Sequence, residues 1–213
     1  LREICRYMQI RRFIVNCIFC NFKKEIRMKT SKGTIAVLLA VVLSVSCGER
    51  RRLRTELTDF RKSEIEFPGD MEVCNAGNFA MADALDDDMF RQIVYYDSTE
   101  CTGCRLSRLM ELAPLYELAA RDGRFEVVTI FSPKEDEVET VRVQLLVQDV
   151  GFPVYVDTYG SFSRLNGEIP PDTRFHSFLI DGNGHPVMVG NPAESDAMKE
   201  ILLEILDNAE TAN

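Results

Sequence analysis

Apolar residues fall along the chain in short runs separated by polar turns, and the period of each run predicts its element. Ile93–Tyr96 is a continuous apolar run before a polar turn, the pattern of a first buried strand. The helix after Cys104 is then expected to bury Leu106, Leu109, Met110, Ala113 and Tyr116 at helical spacing, with Pro114 expected to kink it or shift its register because proline lacks a backbone donor. Phe125–Phe131 reads as the second strand. Ser132-Pro133-Lys134-Glu135 has the form of a capping box with proline at the first helical position, opening a helix that turns Val138, Val141, Leu145 and Leu146 inward and stops at Gly151. Pro153–Asp157 is a third strand, followed by a polar excursion over 160–171 with one helical turn at Ser161–Leu165. Ser177–Ile180 and Pro186–Val189 flank Gly182-Asn183-Gly184, a hairpin signal, and Asn191-Pro192-Ala193-Glu194 caps a last helix carrying Met198, Ile201, Leu202, Ile205 and Leu206 on one side. Upstream, Leu53, Leu57 and Phe60 share a helical face, and Met71–Cys74 is expected to pair with Ile65 and Phe67 around Gly69-Asp70.

Charge separates the two ends of the chain. Residues 1–47 hold nine Lys/Arg and two Asp/Glu, which leaves 16 basic and 32 acidic residues in 48–213. A body near −16 disfavours nucleic acid as a partner. Met28–Gly33 is basic and Thr34–Ser46 is an almost unbroken apolar run of 13 residues, the form of an export signal and too short to span a bilayer as a helix. The run ends Leu43-Ser44-Val45-Ser46-Cys47, which resembles the lipobox of bacterial lipoproteins, with Ser44 where leucine is usual. The resemblance implies lipidation at Cys47, and ordinary cleavage near Cys47 is the alternative. Residues 1–27 are then an over-extended gene start, 28–47 the signal, 48–90 a tether with an N-terminal extension, and 91–213 the folded domain. Asp86-Asp87-Asp88 is expected to be a solvated loop.

Seven cysteines are present, but Cys5, Cys17, Cys20 and Cys47 lie in or before the export segment, so Cys74, Cys101 and Cys104 belong to the body. Three do not make a disulfide framework. Cys101-Thr102-Gly103-Cys104 follows the first strand and opens the first helix, which places one thiol at the helix start and the other a turn further in. The partial positive charge of the helix start favours a thiolate there, and a second thiol within reach can resolve the mixed disulfide that the first one forms. A structural disulfide and half of a metal site are the competing readings. Glu100 is expected to raise the Cys101 pKa and Arg105 to lower it.

The order of elements over 91–208, with C-x-x-C between the first strand and first helix, resembles the thioredoxin-like fold, and in particular its envelope-anchored TlpA/ResA type. Phe152–Asp157, Phe178–Asp181, Gly184 and Gly190 are similar to segments of that group. The resemblance implies an α/β three-layer fold with a mixed central sheet, and a thiol–disulfide oxidoreductase whose first cysteine, Cys101, attacks and whose second, Cys104, resolves. Its partners would be disulfide- or thiol-bearing envelope proteins on the periplasmic side of a bacterial membrane, with no cofactor beyond the dithiol.

Three positions depart from the family. Tyr95 stands where a buried acid helps move protons, with Asp97 the nearest replacement; Leu109 replaces a helix proline; and Phe175 stands where a cis-proline faces the disulfide, unless Pro171 reaches that place through a longer loop. His176 is either a strand-start histidine that packs and caps or a neighbour of Cys101. If Phe175 does replace the proline, Cys101, Cys104 and His176 become a set for copper or zinc, in a metal-binding or scaffold lipoprotein without redox turnover. Cys74 is a buried small hydrophobe or a third sulfur near the site, and His185 lies in a hairpin turn. Ser98, three residues before Cys101, matches a peroxiredoxin hydroxyl, but Val94 replaces the proline of that motif.

Overall fold

The computed structural model describes residues 51–83, 85 and 89–212. The chain divides into two units, Leu1–Leu53 and Arg54–Asn213, and the fold below is that of the second. The signal, the lipobox-like Cys47, the early cysteines and Asp86-Asp87-Asp88 lie outside the described residues.

Residues 54–60 are helical, and their last residue, Phe60, is fully buried. The sheet then forms from β1 (Glu72–Asn75), β2 (Asn78–Met81), β3 (Phe90–Tyr96), β4 (Phe125–Phe131), β5 (Val154–Val156), β6 (Ser177–Ile180) and β7 (Pro186–Val189). Helices α1 (Thr102–Ser107), α2 (Ala113–Asp122), α3 (Val138–Gln148), α4 (Ser161–Leu165) and α5 (Asp196–Ala212) connect or follow the strands. Across the sheet the order is β2-β1-β5-β4-β3-β6-β7. β3, β4 and β5 run parallel, while β6 pairs antiparallel with β3, β7 with β6, and β1 with β5. This is the mixed central sheet of a thioredoxin-like α/β fold, with the N-terminal hairpin added at one edge.

Alternation along the strands builds the layers, because successive side chains point to opposite faces. Ile93 and Tyr95 of β3, Val128 and Ile130 of β4, and Phe178 and Ile180 of β6 face one core with Phe60, Met71 and Phe162. The intervening Val94 and Phe131 face α1 and α3 through Leu106, Val141 and Leu145, while Val127 and Leu179 meet α2 and α5 through Leu115, Ala119, Leu202 and Leu206. Burying each such side chain contributes about 1.5–3 kcal/mol, so a one-residue slip of β3 would exchange the two cores.

Several local expectations change. Pro114 divides the first helix: α1 stops at Ser107, a 3₁₀ turn occupies Leu109–Leu112, and α2 restarts with the proline in its first turn, where no N–H is needed. Met71–Cys74 does not pair with Ile65 and Phe67. Instead β1 folds onto β2 through a turn in which Ala76 and Gly77 both have positive φ (46° and 69°), the two-residue hairpin geometry. Ile65 donates its N–H to Gly184 O (2.9 Å), tying the lead-in to the β6–β7 turn. The Ser132 capping box does not form. Its hydroxyl goes to the Asp157 carboxylate (2.8 Å), and a 3₁₀ turn at Glu135–Glu137 precedes α3. Met110, Leu146 and Ile201 are exposed, since Leu109 with Leu112, Val141 with Leu145, and Leu202 with Leu206 fill the inner positions of their segments. α3 ends at Asp149, which takes the left-handed conformation, before Gly151 is reached. α5 begins at Asp196, after a turn in which Asn191 Oδ1 accepts the Ala193 N–H (3.0 Å).

Candidate active site

β3 delivers the chain to the end of the sheet, and a polar turn redirects it into α1. Asp97 Oδ1 accepts both the Thr99 N–H (2.8 Å) and the Thr99 hydroxyl (2.6 Å), and the Glu100 N–H reaches Asp97 O (3.2 Å). This closed turn leaves Cys101 as the residue before the helix, with extended backbone (φ −71°, ψ 97°) and Sγ accepting the Cys104 N–H at 3.3 Å. A sulfur thus takes the place that serine or aspartate usually takes at a helix start. Cys101 and Cys104 are joined as a disulfide, with Cα atoms 5.2 Å apart, and both residues are exposed. They line an open depression of about 410 Å³ together with Thr99, Glu100, Arg105, Arg108 and Thr173. Thr102, between the cysteines, is buried and donates to Glu137 Oε2 (2.9 Å), which fastens α1 to the segment before α3.

The charges beside Cys101 are paired with each other. Glu100, whose side chain is 7% exposed, receives the Arg105 Nε–H on Oε2 at 2.6 Å, and the guanidinium lies over the Tyr96 ring at 5.4 Å. Glu100 and Arg105, expected to act on Cys101 in opposite directions, are thus bonded to each other. Burial pushes the Tyr96 hydroxyl up to about 12 despite the nearby Arg105. Burial also raises Tyr95, whose ring packs on Phe162 (5.0 Å) and His176 (5.1 Å).

His176 packs and caps at the start of β6. Its carbonyl accepts the Tyr95 N–H (2.8 Å), its ring is buried, and Nε2 lies 2.9 Å from Pro170 O. A carbonyl can only accept, so Nε2 carries the proton. Nδ1 lies 3.9 Å from Glu100 Oε1. Phe175 closes a 3₁₀ turn, Thr173–Phe175, with Arg174 over its ring at 5.7 Å. No cis peptide bond occurs among the described residues, Pro171 included. Cys74 belongs to the core beside Phe131 and Val154, with burial raising its thiol pKa, and His185 is partly buried with Nδ1 at 3.0 Å from Asn183 O. Glu137 and Thr173 join the site without having been foreseen, because each arrives from another segment and leaves no local spacing signal, whereas Arg108, directly after α1 and four residues past Cys104, was within reach of helical spacing.

No protein-family model matches the chain, and no curated protein does. Among solved structures the chain is similar to a putative thiol:disulfide interchange protein DsbE from Chlorobium tepidum, 20% identical over 68% of this chain and 98% of that one, with a TM-score of 0.45. It is also similar to the exposed lipoprotein thioredoxin Etrx1 of Streptococcus pneumoniae (22% identical, 56% and 87% covered, TM-score 0.41). AhpC from Enterococcus faecalis is a third match (14% identical, 70% and 92% covered, TM-score 0.44).

Proposed function

We propose that this protein is a thiol–disulfide oxidoreductase of the bacterial cell envelope, held on the periplasmic side by a lipid at Cys47. The observation that carries the reading is the exposed Cys101–Cys104 pair at the mouth of α1, where the Cys101 sulfur already receives a backbone N–H. In the reduced form that N–H stabilises a thiolate at Cys101. The thiolate attacks a partner disulfide, forming a mixed disulfide and releasing the partner's other sulfur as a thiol. Cys104, as thiolate, then attacks Cys101 Sγ, which frees the partner fully reduced and leaves the Cys101–Cys104 disulfide. A dithiol donor in the envelope returns the pair to the reduced form by the reverse exchange. Thr99, Arg108 and Thr173 border the sulfurs and would meet the partner chain.

The test is exchange with a model disulfide followed by trapping. Cys101→Ser should lose turnover to background, while Cys104→Ser should keep the first attack and accumulate a mixed disulfide that mass spectrometry identifies at Cys101. A chain that performs no exchange while Cys101 remains open to alkylation would sink the reading.

A further inference from the structure

Asp97, Glu100 and His176 each hold a ligand atom within 4.8 Å of the others. Each also ties one heteroatom to the fold and keeps another in reserve. Asp97 Oδ1 is taken by the Thr99 N–H and hydroxyl, which leaves Oδ2. Glu100 Oε2 is taken by Arg105, which leaves Oε1. His176 Nε2 donates to Pro170 O, so the neutral ring presents a lone pair at Nδ1. That lone pair faces Glu100 Oε1 at 3.9 Å, belongs to a side chain only 4% exposed, and has no hydrogen-bond partner. A buried lone pair left unpartnered opposite a carboxylate oxygen is costly as it stands, and a positive centre between the two removes the cost.

We propose that Asp97, Glu100 and His176 bind a divalent transition-metal ion, with zinc as the reference case. One imidazole and two carboxylates are a donor set such ions accept. The ring N–H to Pro170 O is the outer bond that orients ligating histidines, and Arg105 steadies Glu100 in the same way. Tetrahedral zinc, with bonds of about 2.1 Å, sets its ligand atoms about 3.4 Å apart. The gap from Nδ1 to Oε1 is close to that, and the Asp97 ligand oxygen lies within 4.8 Å of both. No sulfur is required, so the site is distinct from a Cys101, Cys104 and His176 set, and it does not rest on the redox reading. A cation held by Glu100 would place positive charge one residue from Cys101 and favour its thiolate.

The experiment is zinc titration by calorimetry of the untagged full chain, stripped of metal, with its disulfide intact and its free thiols capped with iodoacetamide. One equivalent should bind. Glu100→Gln and Asp97→Asn should each weaken binding by at least about tenfold, and His176→Gln should abolish it. The Cys101→Ser/Cys104→Ser double variant should bind as the parent does. Melting curves report whether each variant is folded; if His176→Gln is not, the two carboxylate variants decide. Failure of the parent chain to bind at millimolar zinc would overturn the proposal and assign the gap to a proton or a water. Unchanged affinity in an Asp97→Asn/Glu100→Gln double variant would overturn it equally.

Discussion

Asp157 is a carboxylate 1% exposed at the end of β5, and it is satisfied from three directions. Ser132 donates its hydroxyl at 2.8 Å, and the N–H groups of Ser161 and Phe162 donate at 2.8 and 3.0 Å. The same residue therefore closes the loop after β4 and starts α4, which places Phe162 against Tyr95. Replacing it by alanine would leave buried donors without an acceptor, at about 1–3 kcal/mol for each unsatisfied group. Asp157→Ala should lower unfolding free energy by about 3 kcal/mol and shift the urea midpoint accordingly, whereas Asp157→Asn, which keeps one acceptor oxygen, should lose less. Equal stability of Asp157→Ala and the parent would contradict this account of the loop. A milder case is Thr102→Val, which keeps the shape between the cysteines and removes the bond to Glu137. It should cost about 1 kcal/mol and leave α1 less firmly fastened, visible as faster amide exchange at Gly103 and Cys104.

Among the elements, those with a strong local signal were legible in the sequence. The strands Phe125–Phe131 and Ser177–Ile180 and the turn Ser161–Leu165 are where apolar period and turn residues place them. What escaped was decided by distant partners. Ser132 has the local form of a cap, yet its hydroxyl is turned to donate to a buried carboxylate 25 residues away, and the 3₁₀ turn starts after Lys134 instead. Likewise the pairing of β1 depended on Ala76 accepting positive φ, a place where Asn or Gly is the usual signal. At the site, the C-x-x-C pair was legible because its two sulfurs are adjacent in sequence, while the burial of Glu100 and its approach to His176 need β6 to be laid beside β3. The β7 end shows another such dependence. Gly190 has φ 141°, its carbonyl accepts from Gln92 (3.2 Å) and Ser177 (3.2 Å), and a Cβ there would run into Met198 Cε at the start of α5. Gly190→Ala should cost about 1–3 kcal/mol. Adding Met198→Ala removes the clash but not the strained φ, so the double variant should recover only part of the loss in a denaturation curve. Full recovery would mean that backbone conformation contributes nothing at this position.

For the molecule as a whole, three tyrosines around the central sheet tie stability to alkaline pH. Tyr116 is held by Thr129 Oγ1 (2.9 Å) and donates to Pro153 O (3.0 Å), Tyr95 lies under Phe162 and His176, and Tyr96 packs on Phe131 at 4.7 Å. Burial raises the pKa of all three, that of Tyr96 to about 12, and does the same for Tyr155 on β5. In the unfolded chain a tyrosine ionises near 10. The unfolded state therefore releases these protons first, so their contribution is complete below about pH 10 and is lost as pH rises through the folded-state values. The acidic body adds repulsion in the same direction but contributes smoothly, since its carboxylates are already ionised at neutral pH. The two causes separate experimentally. Urea midpoints should be flat from pH 7 to 9 and fall steadily above about 10, with tyrosinate absorbance appearing together with unfolding. Tyr116→Phe should start lower at neutral pH, because it loses the bonds to Thr129 and Pro153, but should fall less steeply above pH 10. Tyr96→Phe, which keeps the ring beneath Arg105, should also flatten the alkaline limb while costing less at neutral pH. A parent chain whose three buried tyrosines ionised near 10 without any loss of stability would show that the hydroxyls reach water in the folded state, and that the packing around β3 is looser than these contacts require.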